Sequence, residues 1–147
     1  MKQDCKFCEK GDELSKKFLH IKRLKGSDVY LFRNQYLPGR CALMLSEHYK
    51  EIYDIPENLR NQFFEDMNMV VQALEKYFHA DKINIAAFGD ESPHFHFHLV
   101  PKYKGSPRWG KPYCEAPMGE KYITDEELNN IIDDLRKLLD NTGDCDV

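Results

Sequence analysis

The sequence has little that is typical of membrane proteins or of proteins that bind nucleic acids. None of its apolar runs approaches the ~18 residues that a membrane-spanning helix requires. Its 21 lysine and arginine residues form no block, and the formal net charge is −4. A nucleic-acid-binding surface is therefore not indicated, although one basic pocket for a small polyanion is compatible with this composition. The first residues lack the apolar core of a signal peptide, so we expect a cytoplasmic location.

The sequence also lacks internal repeats and low-complexity segments. Its 147 residues suit one domain of ordinary size, and nine phenylalanines and eight tyrosines supply material for a core. We therefore predict one domain over residues 1–147, with an acidic tail at 140–147 that frays.

The five cysteines do not indicate a disulfide framework, because their number is odd and no secretion signal precedes them. Cys5 and Cys8 form a C-x-x-C pair, whereas Cys41, Cys114 and Cys145 stand alone. A redox-active pair normally follows a strand at the start of a helix, and nothing before Cys5 is long enough for that strand. We interpret the pair as half of a zinc site.

Half of the six histidines lie at alternate positions within residues 93–101. Read as a β-strand, this stretch places His94, His96 and His98 on one face, while apolar residues occupy the other. A helix would mix imidazole and phenyl groups around its whole circumference, so the pattern predicts a strand. A stable strand needs only generic polar residues on its open face, and clustered histidines therefore indicate metal binding or catalysis.

Other β-rich stretches and turn signals predict a sheet around this strand. Short connections between several of the strands favour antiparallel hairpins, at the Pro-Gly turn after Asn34 and at residues 89–92. Beyond Pro101, a basic and aromatic loop that contains Trp109 is punctuated by glycine and proline, and we expect it to be irregular. The predicted strands are 17–24, 29–32, 40–45, 82–88 and 93–101.

Two helices complete the predicted fold. Apolar residues recur every three or four positions from Pro56 to Phe78, and Pro56 suits a first helical position. A second helix starts at Thr124, where Thr124-x-x-Glu127 forms a capping box, and ends before Asn141. The predicted fold class is α+β: a mainly antiparallel sheet of about five strands, one long central helix and a C-terminal helix.

Two chemistries suit imidazoles on one strand. Residues i and i+2 project the same way and can bind one metal ion, whereas a neutral imidazole nitrogen can attack a phosphoryl group. Counting ligands bears on the choice, because Cys5, Cys8, His48 and one strand histidine complete a Cys2His2 site and leave two histidines for chemistry. A metal held by all three strand histidines would leave the C-x-x-C pair unexplained, but this alternative stays open.

Residues 94–101, His-Phe-His-Phe-His-Leu-Val-Pro, resemble the signature of the histidine triad (HIT) superfamily, in which three histidines alternate with apolar residues. The resemblance covers most of the chain, from the C-x-x-C pair through His48 and the long helix to the motif. It implies an antiparallel sheet with two helices, a homodimer, and a nucleotide hydrolase or transferase that acts at an α-phosphate.

The resemblance also implies roles for the triad. His96 would attack phosphorus and carry the nucleotidyl group, while a backbone carbonyl holds its other ring nitrogen. His98 would donate to a non-bridging phosphate oxygen. The resemblance to zinc-containing members implies a structural zinc ion held by Cys5, Cys8, His48 and His94.

The resemblance suggests three further residues for substrate binding: Asn34, for which a plain turn asparagine is the alternative, Ser92 in place of a serine that the family has, and Trp109 in the C-terminal loop. Asn34 would hold ribose hydroxyls, Ser92 would donate a hydrogen bond to phosphate, and Trp109 would help to shape the neighbouring subunit's pocket. Many relatives have Gln-Ser or Gln-Thr before the triad, whereas residues 89–93 here are Gly-Asp-Glu-Ser-Pro. An acidic pair at this place would repel a polyanion unless it points away.

The leading hypothesis is therefore a zinc-stabilised hydrolase of the HIT type, with a small nucleotide as substrate and no membrane or nucleic-acid partner. It would cleave a nucleoside 5′-phosphate from a dinucleoside polyphosphate, a phosphoramidate or a similar conjugate through a covalent nucleotidyl-His96. One alternative is a metal-dependent hydrolase with the strand histidines on a catalytic ion. Another is a nucleotide-binding protein without catalytic activity.

Overall fold

The computed structural model describes residues 4–141, and its centre is a single five-stranded sheet. The strands are β1 (Phe18–Arg23), β2 (Ser27–Phe32), β3 (Cys41–Leu45), β4 (Lys82–Ala86) and β5 (His96–Lys102). They lie in the order β1-β2-β3-β5-β4, and each neighbouring pair is antiparallel. The predicted α+β class with a mainly antiparallel sheet is confirmed.

The histidine strand, β5, is shorter at its start than the sequence pattern predicts. The strand begins at His96, so His94 and Phe95 precede it. Phe95 is still hydrogen-bonded to the segment around the end of β3: its N–H donates to Tyr49 O (2.7 Å) and its carbonyl accepts from Leu45 N (3.1 Å). Strand β4 likewise ends at Ala86 rather than Phe88. The loop between the two strands is therefore longer than the predicted turn.

One face of the sheet is covered by two helices, α3 (Glu57–Phe78) and α4 (Asp125–Asn141). The predicted burial of Phe95, Phe97 and Leu99 against this layer is confirmed, and the ring of Phe63 from α3 stacks on Phe97 with centroids 5.2 Å apart. Such close apolar packing supplies most of the stability of a domain of this size.

The helix boundaries follow capping chemistry. Pro56 is the residue before α3, so the helix begins one residue later than predicted. The capping box before α4 is present: Glu127 N–H donates to Thr124 Oγ1 (3.1 Å), and Thr124 N–H donates to Glu127 Oε2 (2.8 Å). Asp140 and Asn141, the first two residues of the tail that we predicted to fray, belong to α4, and the rest of that tail lies outside the described residues.

The opposite face of the sheet is covered by the N-terminal segment. Two four-residue helices, α1 (Lys6–Glu9) and α2 (Asp12–Ser15), bring Phe7 and Leu14 onto Tyr30, where a second, smaller apolar cluster forms. Neither helix was predicted, because four residues are too few to show helical periodicity. This face carries the histidines of β5, since Ala42 lies opposite His98 and Met44 opposite His96 in the β3–β5 register.

Within residues 4–141, none of the helices has the length and apolar character needed to span a membrane.

Candidate active site and metal centre

Two cysteines and two histidines from three chain segments converge at one edge of the N-terminal cover. Cys5 immediately precedes α1 and Cys8 lies within it, His48 follows β3, and His94 precedes β5. Their ligand atoms all lie within 4.8 Å of one another. Among the residues that the structure describes, this is the one group of His, Cys, Asp and Glu side chains close enough to share a metal ion.

The spacing of this cluster fits a tetrahedral zinc ion. His94 Nδ1 lies 3.5 Å from both Cys5 Sγ and Cys8 Sγ, and His48 Nδ1 lies 3.5 Å from Cys8 Sγ. A tetrahedral ion with bonds of about 2.3 Å to sulfur and about 2.0 Å to nitrogen holds neighbouring ligands about 3.5 Å apart. Cys2His2 is also a common donor set of structural zinc sites.

The orientation of His94 supports the same conclusion. Its Nε2 donates to the carbonyl oxygen of Leu45 at 2.7 Å, so Nε2 carries the ring proton and Nδ1 is left with a lone pair toward the cysteines. Burial lowers the pKa of His94, which keeps the imidazole neutral, as a metal ligand must be. The ring of Phe7 packs edge-on against His94, with centroids 5.6 Å apart.

His96 is buried beside this cluster, with a defined tautomer. Its Nδ1 lies 2.7 Å from the carbonyl oxygen of His94; because a carbonyl can only accept, Nδ1 must carry the proton. Nε2 therefore holds a lone pair. Burial lowers the pKa of His96, and the positive charges of Lys6 and Arg40 lower it further, so the ring is neutral at pH 7.

His98 has the opposite tautomer. Arg40 Nη2 lies 3.2 Å from His98 Nδ1, and because a guanidinium can only donate, Nδ1 must accept and Nε2 must carry the proton. Burial, together with His96 and Arg40, lowers the pKa of His98 to about 3. The two neighbouring imidazoles, with centroids 4.9 Å apart, thus offer one lone pair and one N–H donor from their Nε2 atoms.

Both rings line a cavity of about 500 Å³ on the triad face of the sheet. Four phenylalanines form much of its wall, and Lys6, Lys17 and Arg40 supply positive charge. The loop of residues 89–92 forms another part, so the acidic residues Asp90 and Glu91 also border the cavity. The site can therefore hold an apolar ring and an anionic group together, although one of its walls is acidic.

The predicted substrate-binding residues are not all brought together. Ser92 lines the cavity. Asn34 is not among the lining residues: its Oδ1 accepts from the backbone N–H groups of Tyr36 and Lys121 (both 3.0 Å), and its Nδ2 donates to Gly119 O (3.1 Å). In this arrangement the Asn34 amide holds the segment at residues 119–121, and its Oδ1 and one of its two Nδ2–H donors are engaged within the chain.

Trp109 is 38% exposed, and it too lies away from the residues that line the cavity of its own chain. Its predicted contribution to a neighbouring subunit stays a prediction.

Sequence reasoning missed Arg40 and the residues between the two cysteines. Counting by two from Met44 and Ala42 places Arg40 on the triad face, so the strand period could have identified it. Lys6 and Phe7 could have been inferred because a metal-bound C-x-x-C pair carries its two intervening residues to the same place. Phe7 indeed contacts both His94 and His96, with centroids 5.6 and 5.3 Å apart.

A second cavity of about 500 Å³ lies beyond Phe18 and contains no triad residue. Its buried carboxylate, Asp28, is paired with Lys10, His20 and Arg23 at 2.7–3.1 Å. Burial acts to raise the pKa of Asp28, but hydrogen bonds from His20, Lys10 and Arg23 hold it below its usual value. We interpret this cluster as structural, since its charges are matched within the chain.

Comparisons with known proteins agree with this geometry. A histidine triad protein from Bradyrhizobium japonicum has 25% sequence identity and a TM-score of 0.78, over 88% of this chain and 96% of the other. A Zn-bound histidine triad family protein from Mycobacterium smegmatis is 18% identical, with a TM-score of 0.69 over 99% of this chain and 100% of the other.

Diadenosine triphosphate hydrolase from Plasmodium falciparum is similar in fold, with 13% identity and a TM-score of 0.64 over 83% of this chain and 76% of the other. No curated protein matches this chain. The family model described as the HIT domain matches residues 25–105, which is more than half of the 147 residues. This chain therefore belongs to the HIT, or histidine triad, family.

Proposed function

We propose that this protein is a nucleotide hydrolase that cleaves a nucleoside 5′-phosphate from a dinucleoside polyphosphate, a phosphoramidate or a similar conjugate. The observation that carries the proposal is the hydrogen bond from His96 Nδ1 to His94 O, which leaves the Nε2 lone pair of a neutral imidazole available beside a cationic cavity. The similar Plasmodium protein is named as a diadenosine triphosphate hydrolase, which supports the substrate class.

The reaction has two displacements at phosphorus. In the first, His96 Nε2 forms a P–N bond while the bond from phosphorus to the leaving group breaks, and the leaving group departs with the electron pair. In the second, water attacks phosphorus, the P–N bond breaks, and the lone pair returns to Nε2. The proton of the attacking water is released to solvent, so the products are a nucleoside monophosphate and the free leaving group.

The neighbours of His96 would stabilise the charge on the phosphoryl oxygens. His98 Nε2–H would donate to a non-bridging oxygen, while the positive charges of Arg40, Lys6 and Lys17 offset the phosphate charge in a partly desolvated cavity. Ser92, which lines the cavity, would donate a further hydrogen bond from the loop before the triad. Fixed donors aimed at a transition-state charge typically contribute about 3 kcal/mol each.

A structural zinc ion is part of the proposal, with Cys5, Cys8, His48 and His94 as its ligands. When bound, zinc would cross-link the N-terminal segment, the segment after β3 and the start of β5. The carbonyl of His94 orients His96, so the cluster would hold the proposed nucleophile in place without taking part in the reaction.

The arrangement disfavours a catalytic metal on all three strand histidines. Nδ1 of His94 faces the cysteines, Nδ1 of His96 donates to a carbonyl, and Nδ1 of His98 accepts from Arg40. His94 has Nδ1 toward the cysteines and Nε2 on Leu45 O, so both of its ring nitrogens are engaged away from His96 and His98.

We also propose a homodimer located in the cytoplasm. Strand β4 is a sheet edge, and two large apolar side chains, Ile85 on this strand and Phe88 in the loop after it, are 45% and 56% exposed. Light scattering after gel filtration tests the assembly: we expect twice the mass of the chain for the wild type and a smaller species for Ile85→Lys. A wild-type monomer at micromolar concentration would contradict it.

The test of the function is a rapidly quenched reaction with an adenosine phosphoramidate or a diadenosine polyphosphate, followed by peptide mass mapping. We expect a nucleotidyl adduct on His96, lost in His96→Ala and kept in the control His20→Gln, which changes a histidine of the same face outside the cavity. If no adduct forms and a chelator abolishes turnover, a catalytic metal would be favoured. Neither adduct nor turnover, with measurable nucleotide affinity, would favour a binding protein.

A further inference from the structure

Arg40 is placed deep in the proposed active site by the turn that leads into β3. Its guanidinium carbon lies 4.0 Å from the ring centroid of Phe32 and 5.4 Å from that of Tyr113, so two aromatic rings pack against it. Burial raises the pKa of the Tyr113 hydroxyl overall, although the charge of Arg40 acts to lower it. This packing holds the side chain in one orientation, which a flexible surface arginine would not have.

The hydrogen bonds of Arg40 are incompletely satisfied. Nη2 donates to His98 Nδ1 at 3.2 Å, whereas Nε is buried and has no hydrogen-bond partner among the described residues. Burial lowers the pKa of Arg40, although Tyr113 opposes this effect. A buried, partly unsatisfied guanidinium costs stability, so its retention beside a triad histidine indicates a role other than stability.

The other neighbours of His98 do not compete for its Nδ1 lone pair. They are aromatic rings: His96, Phe88, Phe32 and Tyr113, with centroids 4.9, 5.7, 5.9 and 6.3 Å away. No carboxylate among the described residues is bonded to this imidazole, so a protonated ring would face a guanidinium without an anionic partner. A tautomer with the proton on Nδ1 would turn an N–H toward the same cation.

We propose that Arg40 is the positioning residue that fixes His98 as a neutral donor through Nε2–H, which restricts His98 to binding the phosphate and excludes it as the proton donor to the leaving group. This proposal rests on the proposed function for its consequence in catalysis, but the tautomer itself does not depend on any substrate. The leaving group must then leave as a stable anion or take its proton from solvent.

The first test is the tautomer of His98 in the ¹⁵N-labelled protein, measured by long-range ¹H–¹⁵N correlation, with His98→Gln to assign the signal. We expect a protonated Nε2 and an unprotonated Nδ1 from pH 7 down to pH 5. In Arg40→Met the signals should report a mixture of tautomers and protonation at least one pH unit higher. Arg40→Lys, which keeps a donor-only cation, should restore part of the wild-type signature.

The control is Arg33→Met, which removes an arginine that donates to Ser15 O and does not line the cavity. It should leave the His98 signals unchanged. If Arg40→Met fails to fold, Tyr113→Leu removes one of the two aromatic rings that pack against the guanidinium, and the same shift is expected to a smaller extent. A proton on Nδ1 of wild-type His98, or unchanged signals in a folded Arg40→Met variant, would overturn the proposal.

Steady-state kinetics separate this proposal from the proposed function. With an adenosine phosphoramidate, Arg40→Met should lower kcat at least tenfold, and the fall should steepen toward low pH as His98 takes up a proton at a higher pH than in the wild type. A tautomer shift in a protein that turns over no nucleotide would support the positioning role and contradict the hydrolase. Turnover that Arg40→Met leaves unchanged at every pH would contradict the positioning role alone.

Discussion

Alternate residues of the same short stretch meet two different environments. Phe95, Phe97 and Leu99 enter a large apolar core under two long helices, whereas His96 and His98 face a cavity under an N-terminal cover of two four-residue helices. The apolar core supplies burial without chemistry, while the cavity holds buried polar groups that are costly for stability. One strand therefore links a stabilising face to a functional face, and substitutions on the two faces should have separable effects.

The largest difference between the effect on activity and the effect on stability is expected for His96→Ala. Removing the proposed covalent nucleophile should lower the rate of nucleotide hydrolysis by about 10⁴-fold or more, because the His96 imidazole would make the attack on phosphorus. The melting temperature should change little, since this side chain is not part of the apolar core. Calorimetry and single-turnover kinetics on the same sample test this, and an active, folded variant would contradict the assignment.

The converse is expected for Phe97→Ala, which removes a ring packed on Phe63 and Phe64. The cavity left behind should lower the free energy of unfolding by about 3–5 kcal/mol in urea titrations. Activity per folded molecule should fall less than tenfold at low temperature. A loss of activity as large as that of His96→Ala, in a folded sample, would show that the two faces are not separable.

Loss of the metal should affect the functional face indirectly, because the proposed zinc ion would hold the N-terminal segment that covers this face. If zinc is bound as proposed, removing it with a strong chelator, or Cys8→Ser, should cost about 3 kcal/mol, which lowers the melting temperature by about 10 °C. Metal analysis should give one zinc per chain. Cys114→Ser, which changes an exposed free cysteine, is the control. Full stability and full zinc content in Cys8→Ser would contradict the predicted ligand set.

The pH dependence of stability should also come from the functional face. His98 has a pKa of about 3 in the folded chain, below the usual value of about 6.5 in the unfolded chain. Below pH 6.5 the unfolded chain therefore binds the proton first, and stability falls as the pH is lowered toward 3. The His98→Gln variant should lose less stability than the wild type between pH 6.5 and pH 4. Parallel curves for the two proteins would contradict the assignment.

The smallest effect is expected at the acidic wall of the cavity. Glu91→Gln and Asp90→Asn should each lower KM for a dinucleoside polyphosphate by about threefold, since exposed charges interact by less than 1 kcal/mol. The effect should shrink at high salt, and Glu115→Gln, away from the cavity, is the control. A higher KM in either variant would show that the carboxylates do not repel the substrate.

The sequence was sufficient for most of the fold, because long periodic patterns determine it. Alternation located β5 and its two faces, and three- and four-residue spacing located α3. What could not be predicted depends on contacts between distant segments. The Asn34 amide is held by backbone groups at 119–121, a contact more than 80 residues away in the chain that no local pattern encodes. The four-residue helices also depend on packing rather than on intrinsic propensity.

In the candidate site, too, local sequence patterns predicted some features, while contacts between distant segments set the others. The C-x-x-C spacing and His48 were identified from ligand types, and the structure brings all four proposed ligands together. The tautomers of His96 and His98 could not be predicted from the sequence, since each is set by a hydrogen bond to a particular atom of the folded chain. The charge of the cavity was also hidden, because Lys6, Lys17 and Arg40 are scattered in sequence and are adjacent only after folding.

The position of Lys6 and Phe7 between Cys5 and Cys8 has a consequence for how such a site can diversify. These two residues line the cavity, while the two that enclose them belong to the metal-ligand cluster. A substitution at Lys6 can therefore alter the charge presented to a substrate without removing a ligand of the cluster, whereas Phe7 also packs against His94, one of the proposed ligands. The spacer of the C-x-x-C pair, and Lys6 in particular, is therefore a direct starting point for redesigning substrate selectivity.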